Sequence, residues 1–166
     1  MMRLSHTLKL TGQGDHEIVM TRQFRAPAAL VYDAYTKPEL LKRWFGGPPG
    51  WWMSLCEVDL RVGGKYHFGL SGPDGASMGM SGVYKDLDRP HLMVNTERFD
   101  APYGDTEQVI TTVLVEAAGV TTFTATVWYE TKEARDGMLG SMGPGVSHGY
   151  DQLETLLGEL QGEAAQ

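Results

Sequence analysis

TRQFRAPAALVYDAYTKPELLKRWF, Thr21 to Phe45, decides the fold, and EVDLRVGGKYHF, Glu57 to Phe68, answers it further along. Residues 17–24 alternate so that Ile18, Met20, Arg22 and Phe24 share one face, the pattern of a half-buried strand with one charged member on its apolar side. Ala26-Pro27 then opens a helix that carries Leu30, Val31, Ala34 and Tyr35 at helical spacing. Thr36-Lys37-Pro38 stops that helix and starts a second one, which closes on Trp44 and Phe45 before the loop GGPPG at 46–50. Two short helices therefore interrupt a sheet just after its first strand.

From Trp51 the period changes to two. Ser54, Cys56, Val58, Leu60 and Val62 fall on one face against Glu57, Asp59 and Arg61. Gly63-Gly64 reads as a two-residue hairpin turn, since glycine takes positive φ without steric cost. Tyr66, Phe68 and Leu70 continue the buried face, and SGPDGAS at 71–77 makes the next turn. Strands follow near 78–87, 91–99, 107–116 and 120–130, with turns at Asp88-Arg89-Pro90, Ala101-Pro102-Tyr103-Gly104 and Ala118-Gly119. A glycine count of 21 in 166 residues, well above the usual share of about 7%, suits so many reversals. Thr131 to Leu139 reads as a connecting turn or short helix, and a long helix begins at Pro144. In that helix Val146, Tyr150, Leu153, Leu157 and Leu160 form one apolar stripe opposed by Asp151, Glu154 and Glu159.

The expected class is α+β: a helix-grip fold in which a curved antiparallel sheet of six to seven strands wraps around a long C-terminal helix, with two short helices after the first strand. Residues 17–160 make the single domain. Residues 1–16 form an extension in which Leu4, Leu8 and Leu10 either add an edge strand or leave a mobile arm, and residues 161–166 form a frayed tail.

Composition removes several function classes. A formal charge of −7 and a pI near 5.1 oppose the basic surface that nucleic acid requires. No apolar run approaches the ~20 residues of a membrane span. The N-terminus breaks its apolar residues with His6, Thr7 and Lys9, unlike a secretory signal, and a single cysteine, Cys56, suits a reducing compartment, so a cytoplasmic location is expected. The five histidines, at 6, 16, 67, 91 and 148, lack metal-ligand spacing. Neither a nucleophile elbow nor a phosphate-cradling loop nor a dinucleotide fingerprint is present, so no metal, cofactor or catalytic constellation is expected.

Five ordered blocks carry a resemblance. They are R-x-F-x-A-P at Arg22 to Pro27, V-Y-x-A-Y-T-x-P at Val31 to Pro38, W-F-G at Trp44 to Gly46, D-x-R-x-G-G-x-Y-x-F at Asp59 to Phe68, and S-x-x-Y-D-Q-L at Ser147 to Leu153. Over Glu17 to Leu160 the chain resembles the START-related SRPBCC superfamily, in the branch related to the C-terminal domain of the activator of the ninety-kilodalton heat-shock protein's ATPase. The resemblance implies a seven-stranded sheet gripping the last helix, with a cavity between them that in relatives holds apolar or aromatic small molecules.

Strand phase and helix position nominate the residues that face such a cavity. On the first half of the chain these are Trp44, Trp52, Tyr66, Phe68, Met78, Met80 and Tyr84; on the second half they are Phe123, Val127, Met142, Val146 and Tyr150. Methionines give an adaptable lining, and a buried tyrosine hydroxyl must find a partner. Glu97 and His148 are the candidates for acid–base work, although Glu97 is expected on a solvated strand face and His148 on the polar side of its helix. Arg22 is expected in an internal salt bridge rather than on a ligand carboxylate, and Cys56 as a small apolar residue.

The leading function is a non-catalytic protein that binds an apolar or aromatic small molecule. An enzyme of the cyclase, aromatase or hydratase kind using the same cavity is the alternative. A stress-related co-chaperone, third, rests on fold analogy alone, and the chain lacks room for the further domain through which the named activator engages its chaperone. Exposed faces are compatible with a homodimer whose interface the sequence does not locate.

Overall fold

The computed structural model describes residues 3–100 and 106–165; the turn expected at Ala101-Pro102-Tyr103-Gly104 lies outside the described residues. Eight strands form one antiparallel sheet: β1 (Lys9–Gln13), β2 (Glu17–Phe24), β3 (Trp52–Val58), β4 (Lys65–Ser71), β5 (Ser77–Asp88), β6 (Leu92–Phe99), β7 (Gln108–Ala117) and β8 (Val120–Trp128). Their order is β1-β2-β8-β7-β6-β5-β4-β3. Helices α1 (Ala28–Thr36) and α2 (Pro38–Trp44) follow β2, and α3 (Lys132–Ser141) and α4 (Gly143–Ala165) follow β8. This is the helix-grip arrangement, with one strand more than the upper expected count. The extra one is β1, whose Leu10 pairs with Met20; the first residues thus supply an edge strand, preceded by a short turn that buries Leu4.

The helix pair after β2 follows from its prolines. Pro27 caps α1 in an extended conformation and Pro38 occupies the first turn of α2, with Lys37 alone between the two helices. The Trp44 indole N–H donates to the Ala34 carbonyl at 2.8 Å, folding α2 back on α1. Beside the start of α1, Ala118 and Gly119 both take positive φ in the β7–β8 reversal, as a tight hairpin with matching twist requires.

The β3–β4 connection departs from the two-residue hairpin. β3 ends at Val58, so Asp59–Gly64 is a six-residue loop that leaves Val62 62% exposed and Leu60 exposed as well. The glycine pair is instead recruited by β5: the Gly63 N–H donates to the Tyr84 carbonyl at 2.8 Å and the Tyr84 N–H to the Gly64 carbonyl at 2.9 Å. A Cβ on Gly64 would stand 2.0 Å from the Asp59 carbonyl oxygen, which closes the loop to any other residue. Within β3 a bulge between Met53 and Leu55 resets the phase. Met53 is therefore buried and Ser54 exposed, the reverse of a continuous alternation.

At the C-terminus, α3 is a full helix capped by the Thr131 side chain, which accepts from the Ala134 N–H at 3.1 Å. α4 runs to Ala165, and the Gln161 side-chain amide donates to the Arg25 carbonyl at 2.8 Å. Leu153, Leu156 and Leu157 are almost fully buried against the sheet.

Arg22 holds this packing in place. Its side chain is 1% exposed on the concave face of β2. The guanidinium donates to the Tyr150 carbonyl, to Glu154 Oε2 at 2.9 Å and to Asp151 Oδ1 at 3.2 Å. Glu154 is thus not on a solvated face; its other oxygen accepts the Leu4 N–H at 2.8 Å, so one carboxylate ties strand, helix and N-terminal segment together. Removing one partner of such a buried pair strands the other, at a cost of about 3–5 kcal/mol. Arg22→Ala is expected to lose about that much stability in urea denaturation, with Glu154→Gln losing less because the Leu4 contact survives. A loss below about 1 kcal/mol for Arg22→Ala, the value of an exposed pair, would refute the anchoring role.

Candidate functional site

A cavity of about 300 Å³ lies between the concave face of the sheet, the α1–α2 pair and the N-terminal half of α4. Its shape follows from the two halves of α4. From Leu153 onward large aliphatic side chains fill the interface, whereas Gly145 and Gly149 face the cavity with no side chain, and a Cβ built on either meets nothing within 4 Å. Exposed Gly145 marks the side on which the cavity meets solvent.

The walls are largely aromatic. Tyr35 stacks on Phe123 at 5.2 Å between ring centroids and meets Trp44 edge-on at 4.9 Å. Phe123 in turn packs against Tyr150 at 5.4 Å. Across the cavity, Tyr66 lies 4.8 Å from Phe68 and 5.4 Å from Tyr84. Burial raises the hydroxyl pKa of Tyr35, Tyr66, Tyr84 and Tyr150, so these groups stay neutral donors and acceptors. The hydroxyls of Tyr35 and Tyr150 interact with each other, and the Tyr150 hydroxyl also reaches the Met20 sulfur at 3.9 Å.

One corner is polar, and most of it has a backbone cause. The β5–β6 ladder is interrupted between Ser81↔Arg98 and Tyr84↔Asn95. There the Val83 N–H donates to the Thr96 hydroxyl at 3.0 Å instead of a carbonyl, and the Thr96 carbonyl accepts the Tyr66 hydroxyl at 2.7 Å. Asn95 supports this arrangement, donating from Nδ2 to the Tyr66 oxygen at 3.0 Å. A Cβ on Gly82 would stand 1.9 Å from the Thr96 oxygen and 2.7 Å from the Tyr66 hydroxyl, so glycine makes the detour possible. Among the described residues Glu97 satisfies no backbone group. It lines the cavity half-buried, with Oε2 accepting from Gln108 Nε2 at 3.2 Å and Oε1 lying 3.3 Å from the Tyr66 hydroxyl. Burial is the largest influence and raises its carboxyl above the usual value, against the opposing hydrogen bonds from Gln108 and Tyr66.

Seven of the twelve nominated side chains line the cavity: Trp44, Tyr66, Phe68, Tyr84, Phe123, Val146 and Tyr150. Five do not. Trp52 is 59% exposed, because Met53 takes the inward position on the edge strand, and Trp51 is the indole that packs inward over Gly72. Met78 and Met80 lie opposite Leu70 and Phe68 and fill the core beyond the cavity. Val127 is buried between its register partners Ile18 and Ile110, and Met142 packs on the core at the α3–α4 junction. The nomination missed Tyr35, Met93 and Asn95, although the inward phase of β6 carries Met93, Asn95 and Glu97 together. Glu97 is not on a solvated face. His148 is half-buried off the lining, and its Nε2 has no hydrogen-bond partner among the described residues. Cys56 is half-buried, its thiol pKa raised by burial.

Among the described residues no cluster of His, Cys, Asp and Glu is placed to hold a metal ion, and no helix is long and apolar enough to cross a membrane. A second, wider concavity of about 610 Å³ runs along the C-terminal half of α4, but its polar side chains are already engaged, Glu154 with Arg22 and Gln161 with Arg25.

Solved structures share this architecture. A protein from Rhodobacter sphaeroides is 27% identical, superposes with a TM-score of 0.84 and covers 92% of this chain and 99% of its own. One from Nitrosomonas europaea is 28% identical at a TM-score of 0.76, covering 90% and 98%. One from Mycobacterium smegmatis, at 24% identity and a TM-score of 0.78 over 90% and 95%, shows the shared fold alone. No curated protein matches the chain. The family model described as "Activator of Hsp90 ATPase homolog 1-like protein" matches residues 25–158, from the residue after β2 into the buried part of α4, and the chain belongs to that family within the SRPBCC superfamily.

Proposed function

We propose that this protein binds an apolar, aromatic small molecule in the cavity between the sheet and the head of α4, in the cytoplasm, without a resident cofactor. The observation that carries the reading is the cavity itself: about 300 Å³ of aromatic-walled space kept open by glycines on the facing helix. Packed interiors do not leave such volumes empty without cost, and a concave apolar site with a few convergent polar groups is the usual form of a small-molecule site. A ligand of about 20 heavy atoms at roughly −0.3 kcal/mol per atom would bind at about −6 kcal/mol, a dissociation constant in the tens of micromolar.

A second reading is favoured by Glu97. A carboxyl beside a tyrosine hydroxyl on a dry wall has the placement of a general acid or base, which suits an enzyme of the cyclase, aromatase or hydratase kind. Conversion of a bound compound that stops in Glu97→Gln, with binding retained, would decide for catalysis.

Two outcomes test the site. Native mass spectrometry of gently purified protein is expected to show an added small organic mass that is absent after denaturation. Gly149→Leu is expected to remove that mass while raising stability by about 1 kcal/mol, because a half-buried helix glycine with open space beside it is replaced by a good helix former. Retention of the ligand in this variant would place binding elsewhere.

The second outcome concerns pH. The fold raises the Glu97 carboxyl above its ordinary 4.5, so it favours the neutral form. That contribution is complete below pH 4.5 and is lost as pH rises through the raised value. Its titratable neighbours do not interfere in this window: the Tyr66 hydroxyl is pushed upward and that of Tyr129 to about 12. Glu97→Gln is therefore expected to gain melting temperature relative to the parent between pH 4.5 and neutrality. Parallel melting profiles across that range would show that Glu97 ionises as freely in the fold as in the unfolded chain.

A further inference from the structure

We infer that the cavity selects ligands carrying a basic nitrogen, with the ammonium group seated at Glu97 and the apolar body among the aromatic walls. This rests on the cavity being a ligand site and names the chemistry that it takes.

The Tyr66 hydroxyl has one proton and two candidate acceptors, the Thr96 carbonyl oxygen at 2.7 Å and Glu97 Oε1 at 3.3 Å. The shorter contact takes the proton. The Asn95 amide is spent on the Tyr66 oxygen and on the Thr96 carbonyl, and the Gln108 amide on Glu97 Oε2. Oε1 of Glu97, on the cavity lining, therefore keeps only the longer share of the Tyr66 proton, while every other member of the corner is engaged with backbone or neighbour at shorter range.

Charge narrows the choice of donor. Among the described residues the lining contains no lysine, arginine or histidine to neutralise a carboxylate there. The buried cations Arg22 and Arg135 are outside the lining and already engaged, Arg22 with Glu154, Asp151 and the Tyr150 carbonyl and Arg135 with Asp136 and the Gly14 and Glu17 carbonyls. An anionic ligand would meet Glu97 with no counter-charge, and a neutral one would leave it either unpaired or protonated. An ammonium supplies the missing donor and the missing charge together, and charge-assisted hydrogen bonds of this kind are about twice as strong as neutral ones. Tyr66, Phe68 and Tyr84 line the same cavity, and aromatic rings attract a cation. A protein charge of −7 favours approach of cations over anions.

The test uses three probes of one shape: naphthylmethylamine, naphthylmethanol and naphthoic acid, titrated calorimetrically at neutral pH against the parent, Glu97→Gln and Gly149→Leu. On the parent the amine is expected to bind about tenfold tighter than the alcohol, with the acid weakest. In Glu97→Gln the amine's advantage over the alcohol should disappear. In Gly149→Leu all binding should be lost. An alcohol or acid that binds as well as the amine overturns the amine preference and leaves the cavity reading intact. Amine binding that survives Gly149→Leu is adsorption to the acidic surface and also overturns it. Failure of all three probes on the parent overturns both. The ranking on the parent stands even where a variant does not fold.

Discussion

A single buried guanidinium sets the geometry on which the rest depends. Arg22 projects from the concave face of β2 into the underside of α4 and is held there by one main-chain carbonyl and two carboxylates. Because its fork is rigid and fully desolvated, it fixes both the distance and the rotation of the helix at Tyr150 and Glu154. The aliphatic side chains of Leu153, Leu156 and Leu157 then close the interface on one side of that point. On the other side α4 offers only Gly145, Val146 and Gly149 to the sheet. A helix clamped at its middle and filled on one side must leave a space on the other, and that space is the cavity.

The opposite wall is shaped by a break in the sheet. Where β5 and β6 fail to pair directly, Thr96 satisfies the orphaned Val83 N–H and Tyr66 satisfies the orphaned Thr96 carbonyl. Side chains replace a ladder hydrogen bond because a buried main-chain group cannot go unpaired. The detour brings a polar patch to an otherwise apolar surface. Glu97 gains its position from this patch, and it is the member whose presence no backbone group requires.

Much of this was legible in the sequence and some was not, for reasons that differ by residue. The helix pair after β2 is local chemistry, written by Pro27 and Pro38, and the stripe of α4 is local periodicity. The face of a strand residue is also local, which is why Tyr66, Phe68, Tyr84 and Phe123 point where their phase says. Whether an inward residue meets the cavity or the packed core depends on its distance from α4, a long-range property that alternation does not encode; Met80 and Val127 share the correct face and lie beyond the space. Trp52 and Ser54 failed for another reason, since one bulge shifts phase without a compositional mark. Glu97 was misread because Asn95 and Glu97 put two polar residues on the inward face of β6, so the apolar alternation that would have revealed the face is missing.

The features that surround the cavity share one energetic property: each makes the empty protein less stable than it need be. Gly145 and Gly149 each weaken α4 by about 1 kcal/mol relative to alanine, and neither is required by a positive φ or a close contact. An acid on the wall is desolvated with no cation in the described lining. By contrast Gly64 and Gly82 admit no other residue, and the buried charge of Arg22 is fully paired. What sets the cavity wall apart from the equally unconstrained helix glycines Gly137, Gly140, Gly158 and Gly162 is that two such costs, open glycines and a desolvated acid, face one space. Both are relieved by an occupant that fills the space above Gly149 and places a proton donor on Glu97, so the same bound molecule would account for each.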